Sequence, residues 1–416
     1  MELLVAAIGW AAGGSILIAA AYYKIMLSLW REPVLRVPLL IFESDDWGAG
    51  PLSQAPALER LEQILESHRD AHGRSAVMTL GVVLAIADCG QIRRSGTLEY
   101  ARVRLDEPIH EPVLEAIRQG ERRGVFALQL HGMEHYWPAA LMAAATGDPA
   151  VRDWFESDNI PLTEGLPSPF QSRWIDASSL PSKALSADEI KTAIMEEIET
   201  FKTLFKQPPK VAVPTTFIWS HDVEIAWKAA GIQVVVTPGQ RYESRDRNGA
   251  PMATGGPILN GQIGKAGLIY VVRDDYFEPA LGHTAERGLA AIGQKARLGR
   301  PALLEMHRFN FVRDPHMAET AMKELDRLLS AARQRFQEIR FTSTEELAAR
   351  LVDRDPAWVE HRLSRRIHLW LLRLRQVPRL WKLACLSGAI VPAGLLYMVT
   401  LHAASPHSEP ASASNA

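Results

Sequence analysis

Two long uncharged apolar runs bracket this chain, and any fold must first dispose of them. Leu3 to Tyr23 carries no charged residue. At roughly 20 residues it is long enough to cross a hydrocarbon core. A cleaved leader would start basic and end at a small-residue cleavage site. Here the chain starts Met1-Glu2, and its basic residues, Lys24, Arg31 and Arg36, follow the run. Residues 1–24 therefore read as an uncleaved membrane helix. Leu383 to Ala404 is a second run of similar length, with Gly388, Pro392 and Gly394 inside it. Membrane helices tolerate such residues better than soluble helices do.

Residues 357–382 lead into the second run. From His361 to Lys382, arginines and a lysine alternate with leucine and tryptophan, and no acid interrupts them. That pattern suits an amphipathic helix lying on an anionic membrane surface; the plainer reading is a basic, solvated helix. Lysine and arginine collect on the side of each run that faces the middle of the chain. This bias places the intervening domain in the cytoplasm. Long domains can cross regardless of charge, so a periplasmic domain is the rival. The tail 405–416, rich in Ser, Pro and Ala, reads as disordered and outward-facing.

Between the runs the chain is globular in character, being 47% hydrophobic and 23% charged overall. A net charge of -2 gives no reason to expect a nucleic-acid partner. Two cysteines, Cys89 and Cys385, exclude a disulfide scaffold and a four-cysteine zinc site. Short apolar strand candidates recur at Leu39–Glu43, Ser75–Ala85, Val125–Leu130, Val211–Val213, Gln233–Val236, Leu268–Val272 and Ala302–Met306. Helical patterns separate most of them, at Ala57–Arg69, Pro112–Arg123, Ser186–Lys206, Asp222–Ala230, Ala285–Ala296 and Met317–Gln337. This alternation predicts an α/β domain over 34–350 with a parallel sheet, either a barrel or doubly wound. In both, ligands bind at the carboxyl ends of the strands. A long connection, Trp137–Leu185, carries Trp154, Phe155, Phe170 and Trp174. Those aromatics either stack on a ligand or pack the connection onto the domain.

Three motifs follow strand candidates. Glu43-Ser-Asp-Asp-Trp-Gly48 sets two carboxylates side by side. Burying both makes sense only if a cation or a proton separates their roles; an ordinary turn is the alternative. Leu130-His-Gly-Met-Glu-His135 spaces His131 and His135 four apart, so one helical turn would put both on a face and let them hold a divalent metal. Leu303-Leu-Glu-Met-His-Arg-Phe-Asn310 places His307 at a strand end, with Arg308 and Asn310 near enough to contact a ligand.

The order Asp-Asp, His-x-x-x-His, Leu-x-x-His resembles the polysaccharide deacetylase family, the chitin deacetylase-like carbohydrate esterases. The resemblance covers roughly Pro38 to Arg350. It implies a distorted, irregular β/α barrel of the glycoside hydrolase and deacetylase type, here flanked by membrane helices at both ends. It implies a divalent metal, usually zinc, on Asp46, His131 and His135, with Asp45 as general base and His307 as general acid. The substrate would be an N-acetyl or other N-acyl sugar in a polysaccharide, or in a lipid-linked precursor at a bacterial inner membrane. A partner glycan-synthesis complex in the membrane would also fit.

The chain departs from the family in two places. The family's third motif supplies an arginine beside the base, but the matching stretch here, Val211-Ala-Val-Pro-Thr215, has none; Lys210 and Arg308 are the candidates to replace it. The fourth motif's acid is missing from Gln233–Ser244, leaving Asp274 or Asp275, the latter as a substrate contact. A non-catalytic membrane scaffold in glycan synthesis is therefore a rival. His131 to His135 also spells His-x-x-Glu-His, a zinc metallopeptidase motif with Glu134 as base. A glycosidase is a third rival, although its two carboxylates stand about 5 Å or more apart and neighbouring Asp45 and Asp46 would point oppositely along an extended strand.

Overall fold

The computed structural model describes residues 1–96 and 99–403; the tail 405–416 lies outside them. The chain divides into two compact units, one of residues 38–293 and 301–349, the other of residues 1–37, 294–300 and 350 onward.

The larger unit is α/β. Its sheet contains β1 (Leu39–Gly48), β2 (Met78–Val83), β3 (Phe126–Leu130), β4 (Val211–Ala212), β5 (Val234–Thr237), β6 (Ile269–Val272), β7 (Asp275–Tyr276), β8 (Ala302–His307) and β9 (Arg340–Phe341). The strand order is β6-β5-β4-β3-β2-β1-β8-β7, with β9 also on β1, and every pairing is parallel. The expected strands are all present. The barrel is incomplete: β6 and β7 are the two edges of the sheet and do not pair, although only Arg273 and Asp274 separate them in the chain.

Helices α1 (Gln54–Ser67), α2 (Glu111–Arg122), α3 (Ala187–Phe205), α4 (His221–Ala229), α5 (Ala285–Arg297) and α6 (Pro315–Arg335) alternate with the strands. Each forms for a local reason. Ser186 and Glu189 close a capping box at the start of α3. Asp314 caps α6, and Pro315 opens it. Val113, Leu114, Ala116, Ile117 and Gly120 form the buried stripe of α2. Gly120 lets the helix sit on β3, since a Cβ there would lie 2.0 Å from Phe126 Cδ2.

The connection expected to be irregular builds its own helices at Pro138–Ala145 and Pro149–Ser157. Trp154 and Phe155 pack with Tyr136, Val151 and Leu166 in a small separate core, and Trp174 belongs to the main core. Phe170 packs against buried neighbours too. These aromatics anchor the connection rather than facing a ligand. A hairpin of Arg241–Arg245 and Pro251–Thr254, not anticipated from the sequence, follows β5.

In the smaller unit, helix Glu2–Arg31 continues past the expected end at residue 24. Within it, Gly9–Arg31 is long and apolar enough to span a membrane. The run 383–404 is not one helix, as expected, but parts of two, Pro378–Ser387 and Ile390–Ala403. Gly388 ends the first in the left-handed conformation at φ 76°, and the two bend by 107°. The basic stretch 357–382 also divides, because Pro378 ends one helix, Leu363–Leu374, and starts the next. Arg373 is not presented to a membrane surface. It is buried and donates to the carbonyls of Glu32, Pro33, Leu298 and Gly299.

Gly120→Ala should force Phe126 off its seat and destabilise the α/β unit by about 1–3 kcal/mol, seen as a lower midpoint in chemical denaturation.

Candidate functional site

All nine strands being parallel, their carboxyl ends meet at one edge, and a cavity of about 690 Å³ opens there. It is lined by Asp45 and Asp46 from β1, His131 and His135 after β3, Arg273 after β6, Tyr276 from β7, and Glu305 and His307 from β8. The sequence-predicted metal ligands, base and acid thus come together from distant parts of the chain.

Two backbone irregularities make this possible. The register of β1 against β2 shifts between Ser44 and Trp47, and Asp46 has φ 73°. An extended strand would send the two carboxylates to opposite faces. The bulge and the left-handed residue turn both into the cavity, so they are not opposed as expected. Trp47 Nε1 donates to Ser44 Oγ across the irregularity at 2.8 Å. Gly81 on β2 leaves room for the carboxylate of Asp45, since a Cβ there would lie 2.3 Å from its Oδ1.

His131 and His135 converge without a helix. Residues 131–136 form an irregular turn, with Gly132 at φ 106°. His131 Nδ1 lies 2.9 Å from the Val213 carbonyl, which fixes Nδ1 as the protonated nitrogen and leaves Nε2 free as a ligand. Asp46 Oδ1 lies 3.5 Å from His131 Nε2 and 3.3 Å from His135 Nε2. These three buried residues offer ligand atoms within 4.8 Å of one another. Asp46 Oδ1 is buried without a hydrogen bond, as expected of a donor awaiting a cation. Burial opposes the charge of Asp46, but His135, His131 and His307 together hold its carboxyl well below the usual range. Burial drives His135 down to about 4, whereas at His131 the same penalty is outweighed by Asp45 and Asp46 and the pKa rises.

Asp45 is ionised by design of its surroundings. Burial would raise its pKa, yet Arg273 and the nearby imidazoles lower it. Arg273, 1% exposed, donates to Asp45 Oδ2 at 2.6 Å and to Glu43 at 3.1 Å, and lies 3.2 Å from Glu305. It is the arginine that the sequence seemed to lack. Neither proposed replacement serves: Lys210 pairs with Glu345, and Arg308 with Glu164. Burial raises the third carboxyl of the set, Glu43, to about 7.

His307 pairs across the sheet with Asp45 in the β1–β8 register. Its Nδ1 lies 2.6 Å from Glu278, which also accepts from Asn310. Burial would lower its pKa, but the Glu278 hydrogen bond and the surrounding carboxylates raise it to about 10. The ring is therefore a proton donor at neutral pH. Asn310 and Arg308 are buried and do not line the cavity; they hold Glu278 and Glu164 instead of a ligand. Asp275 pairs with Leu304 in the β7–β8 register, and Tyr276 beside it takes the place in the lining. Arg273, Glu278, Glu43 and Glu305 were missed. The two-residue spacings Glu43–Asp45 and Glu305–His307 were their one legible signal, because alternate strand residues share a face.

Glu134 has no part in this cavity. It is 1% exposed and is held by Arg173 at 2.7 Å and Arg102 at 3.0 Å. Without a helix, and with its carboxylate neutralised, the His-x-x-Glu-His peptidase reading fails.

The sequence profile of Glycosyl hydrolase family 57 matches residues 149–284, about a third of the chain. No curated protein matches. A 4-alpha-glucanotransferase from Thermococcus litoralis is similar in structure at TM-score 0.39 and 12% identity, covering 76% of this chain and 40% of its own. The chain therefore spans well under half of that enzyme. A family 4 acetyl xylan esterase from Clostridium thermocellum, in complex with a cobalt ion, gives TM-score 0.35 and 15% identity over 75% of this chain and 90% of its own. A polysaccharide deacetylase-like structure from Mycobacterium smegmatis gives 0.37 and 10% over 76% and 91%.

Asp46→Asn keeps the left-handed backbone, which Asn tolerates, but removes the anionic ligand. The purified full chain should bind zinc or cobalt as wild type and lose most of it as the variant, read by elemental analysis. Metal retention should also fall as pH falls, because His131 with its raised pKa holds its proton in competition with the metal.

Proposed function

We propose that the chain is a metal-dependent hydrolase that removes an N-acetyl or other N-acyl group from a sugar. One observation carries this reading: a buried Asp46, His131 and His135 set stands in one cavity with an arginine-held carboxylate and a carboxylate-held imidazole. The ligand set, two imidazoles and a carboxylate, suits an open catalytic site, with zinc the first choice. A divalent metal there would polarise the acyl carbonyl and make water acidic enough to attack it.

The chain's own groups supply the rest. Asp45, ionised and fixed by Arg273, accepts the proton of the attacking water. Arg273 keeps that carboxylate from sharing a proton with Glu43 or Glu305. His307, protonated through Glu278, gives its proton to the departing sugar nitrogen, which cannot leave as an anion. Phe217, Tyr276 and Phe309 line the cavity and offer faces to a sugar ring.

The cavity-bearing domain, about 34–350, would be held at a bacterial inner membrane by the N-terminal helix, with the C-terminal bent pair as a second span. The charge bias favours a cytoplasmic domain acting on a lipid-linked glycan, alone or within a glycan-synthesis complex. With two spans, a reporter fused after the tail should be active only in the periplasm. Cytoplasmic activity would overturn this orientation.

The family 57 profile match favours a second reading, cleavage of a glycosidic bond. Within the matched residues, the one carboxylate lining the cavity is Glu164, and Arg308 binds it. The paired carboxylates of that chemistry would have to include Asp45, Asp46 or Glu305 from outside the match.

Acetate release from N-acetylated glycans should depend on bound metal and fall at least about 100-fold in His307→Gln. The alkaline limb of the wild-type pH profile should reflect loss of the His307 proton, above the ordinary imidazole range because Glu278 holds the ring. Glu278→Gln removes a charge that raises this pKa, so the limb should move to lower pH. Reducing-end formation without acetate release would select the glycosidase.

A further inference from the structure

Most of the charged groups that line the cavity face an opposite charge in direct contact. Asp45 and Glu305 pair with Arg273, Glu164 with Arg308, His307 with Glu278, and Asp46 faces the two imidazoles. Arg245, on the hairpin after β5, also lines the cavity, is 2% exposed, and has no carboxylate partner among the described residues. Its Nε and one terminal nitrogen donate to Ser172 Oγ at 3.2 and 3.1 Å, and the other terminal nitrogen donates to the Gly249 carbonyl at 2.7 Å.

These neutral contacts fix the guanidinium from two sides. Ser172 comes from the long connection and is itself held by Thr216 at 2.7 Å. Gly249 closes a tight turn at φ 78°, pinned by Asp246, which accepts from the amides of Asn248 and Ala250. Of the five N–H donors of an arginine, three are used in this way. A buried charge without a counter-ion in contact is costly, and burial alone lowers the pKa of Arg245. Arg313, exposed and also lining the cavity, adds a second cation. A neutral glycan would leave Arg245 with neutral contacts alone.

We propose that Arg245 binds an anionic oxygen group, a carboxylate or a phosphate, carried by the glycan whose N-acyl group lies at the Asp46, His131 and His135 set. The planar, pre-positioned fork matches either anion. The assignment deepens the deacetylase reading and rests on it. A uronate in a polysaccharide and the phosphate of a lipid-linked sugar are the two sources.

Equilibrium binding to the full chain in detergent, by calorimetry, tests it with matched pairs of probes. N-acetylglucosamine 1-phosphate is set against N-acetylglucosamine, and a glucuronyl-N-acetylglucosamine disaccharide against N-acetyllactosamine. The anionic member of at least one pair should bind about tenfold tighter, and the pair that shows it names the source. That ratio should collapse in Arg245→Gln and survive in Arg245→Lys. A clamp between two loops would weaken both members of a pair alike. Equal binding within both wild-type pairs, no binding of either anionic probe, or a ratio that persists in Arg245→Gln overturns the proposal. Equal wild-type binding overturns the proposal even if Arg245→Gln does not fold. Anion preference without acetate release from any probe would uphold the subsite and remove the deacetylase.

Discussion

Arg273 is buried among three carboxylates, and the carboxyl edge of the sheet depends on it. Glu43, Asp45 and Glu305 would repel one another in a low-dielectric wall. The arginine sorts them: its 2.6 Å bond goes to Asp45, whose pKa is lowered, while burial raises those of Glu43 and Glu305. Thr344 donates to Glu43 on its other side. The outcome is one firm anion beside the metal set, flanked by acids able to hold protons.

A second buried network supports the histidine turn from behind. Arg173 joins Glu134 and Glu197; Glu197 in turn accepts from the amide of Met133 and from Trp227. The turn between His131 and His135 has no helical hydrogen bonds to shape it, and these charged groups supply the constraint. In both networks a buried arginine ties together acids from more than one element.

The sheet was legible because its strands are short apolar runs and its helices carry apolar stripes with cap residues such as Ser186. Asp45, Asp46, His131, His135 and His307 were legible as chemistry at strand ends. How they converge was not. The left-handed Asp46 and the non-helical His131–His135 turn are set by tertiary contacts, and a spacing of four gives no sign of them. Arg273 could not be found by looking near the base in sequence, since it comes from the far edge of the sheet. Trp154 and Phe155 read equally as wall or core, because nothing local tells an aromatic whether a neighbouring helix will cover it. Gly388 was visible, but a glycine in an apolar run does not announce a 107° bend.

The two edge strands of the sheet are consecutive in the chain, and Arg273 sits in the short gap between them. Its partners Glu43 and Asp45 are 230 and 228 residues away. Contacts of such separation form after most of the loop-closure entropy has been overcome. The arginine reaches these acids only when the segment between β6 and β7 closes over the end of β1. Until then the acids of β1 and β8 lack their cation. A chain with that edge displaced would keep Asp46, His131 and His135 but lose the arginine that lowers the pKa of Asp45.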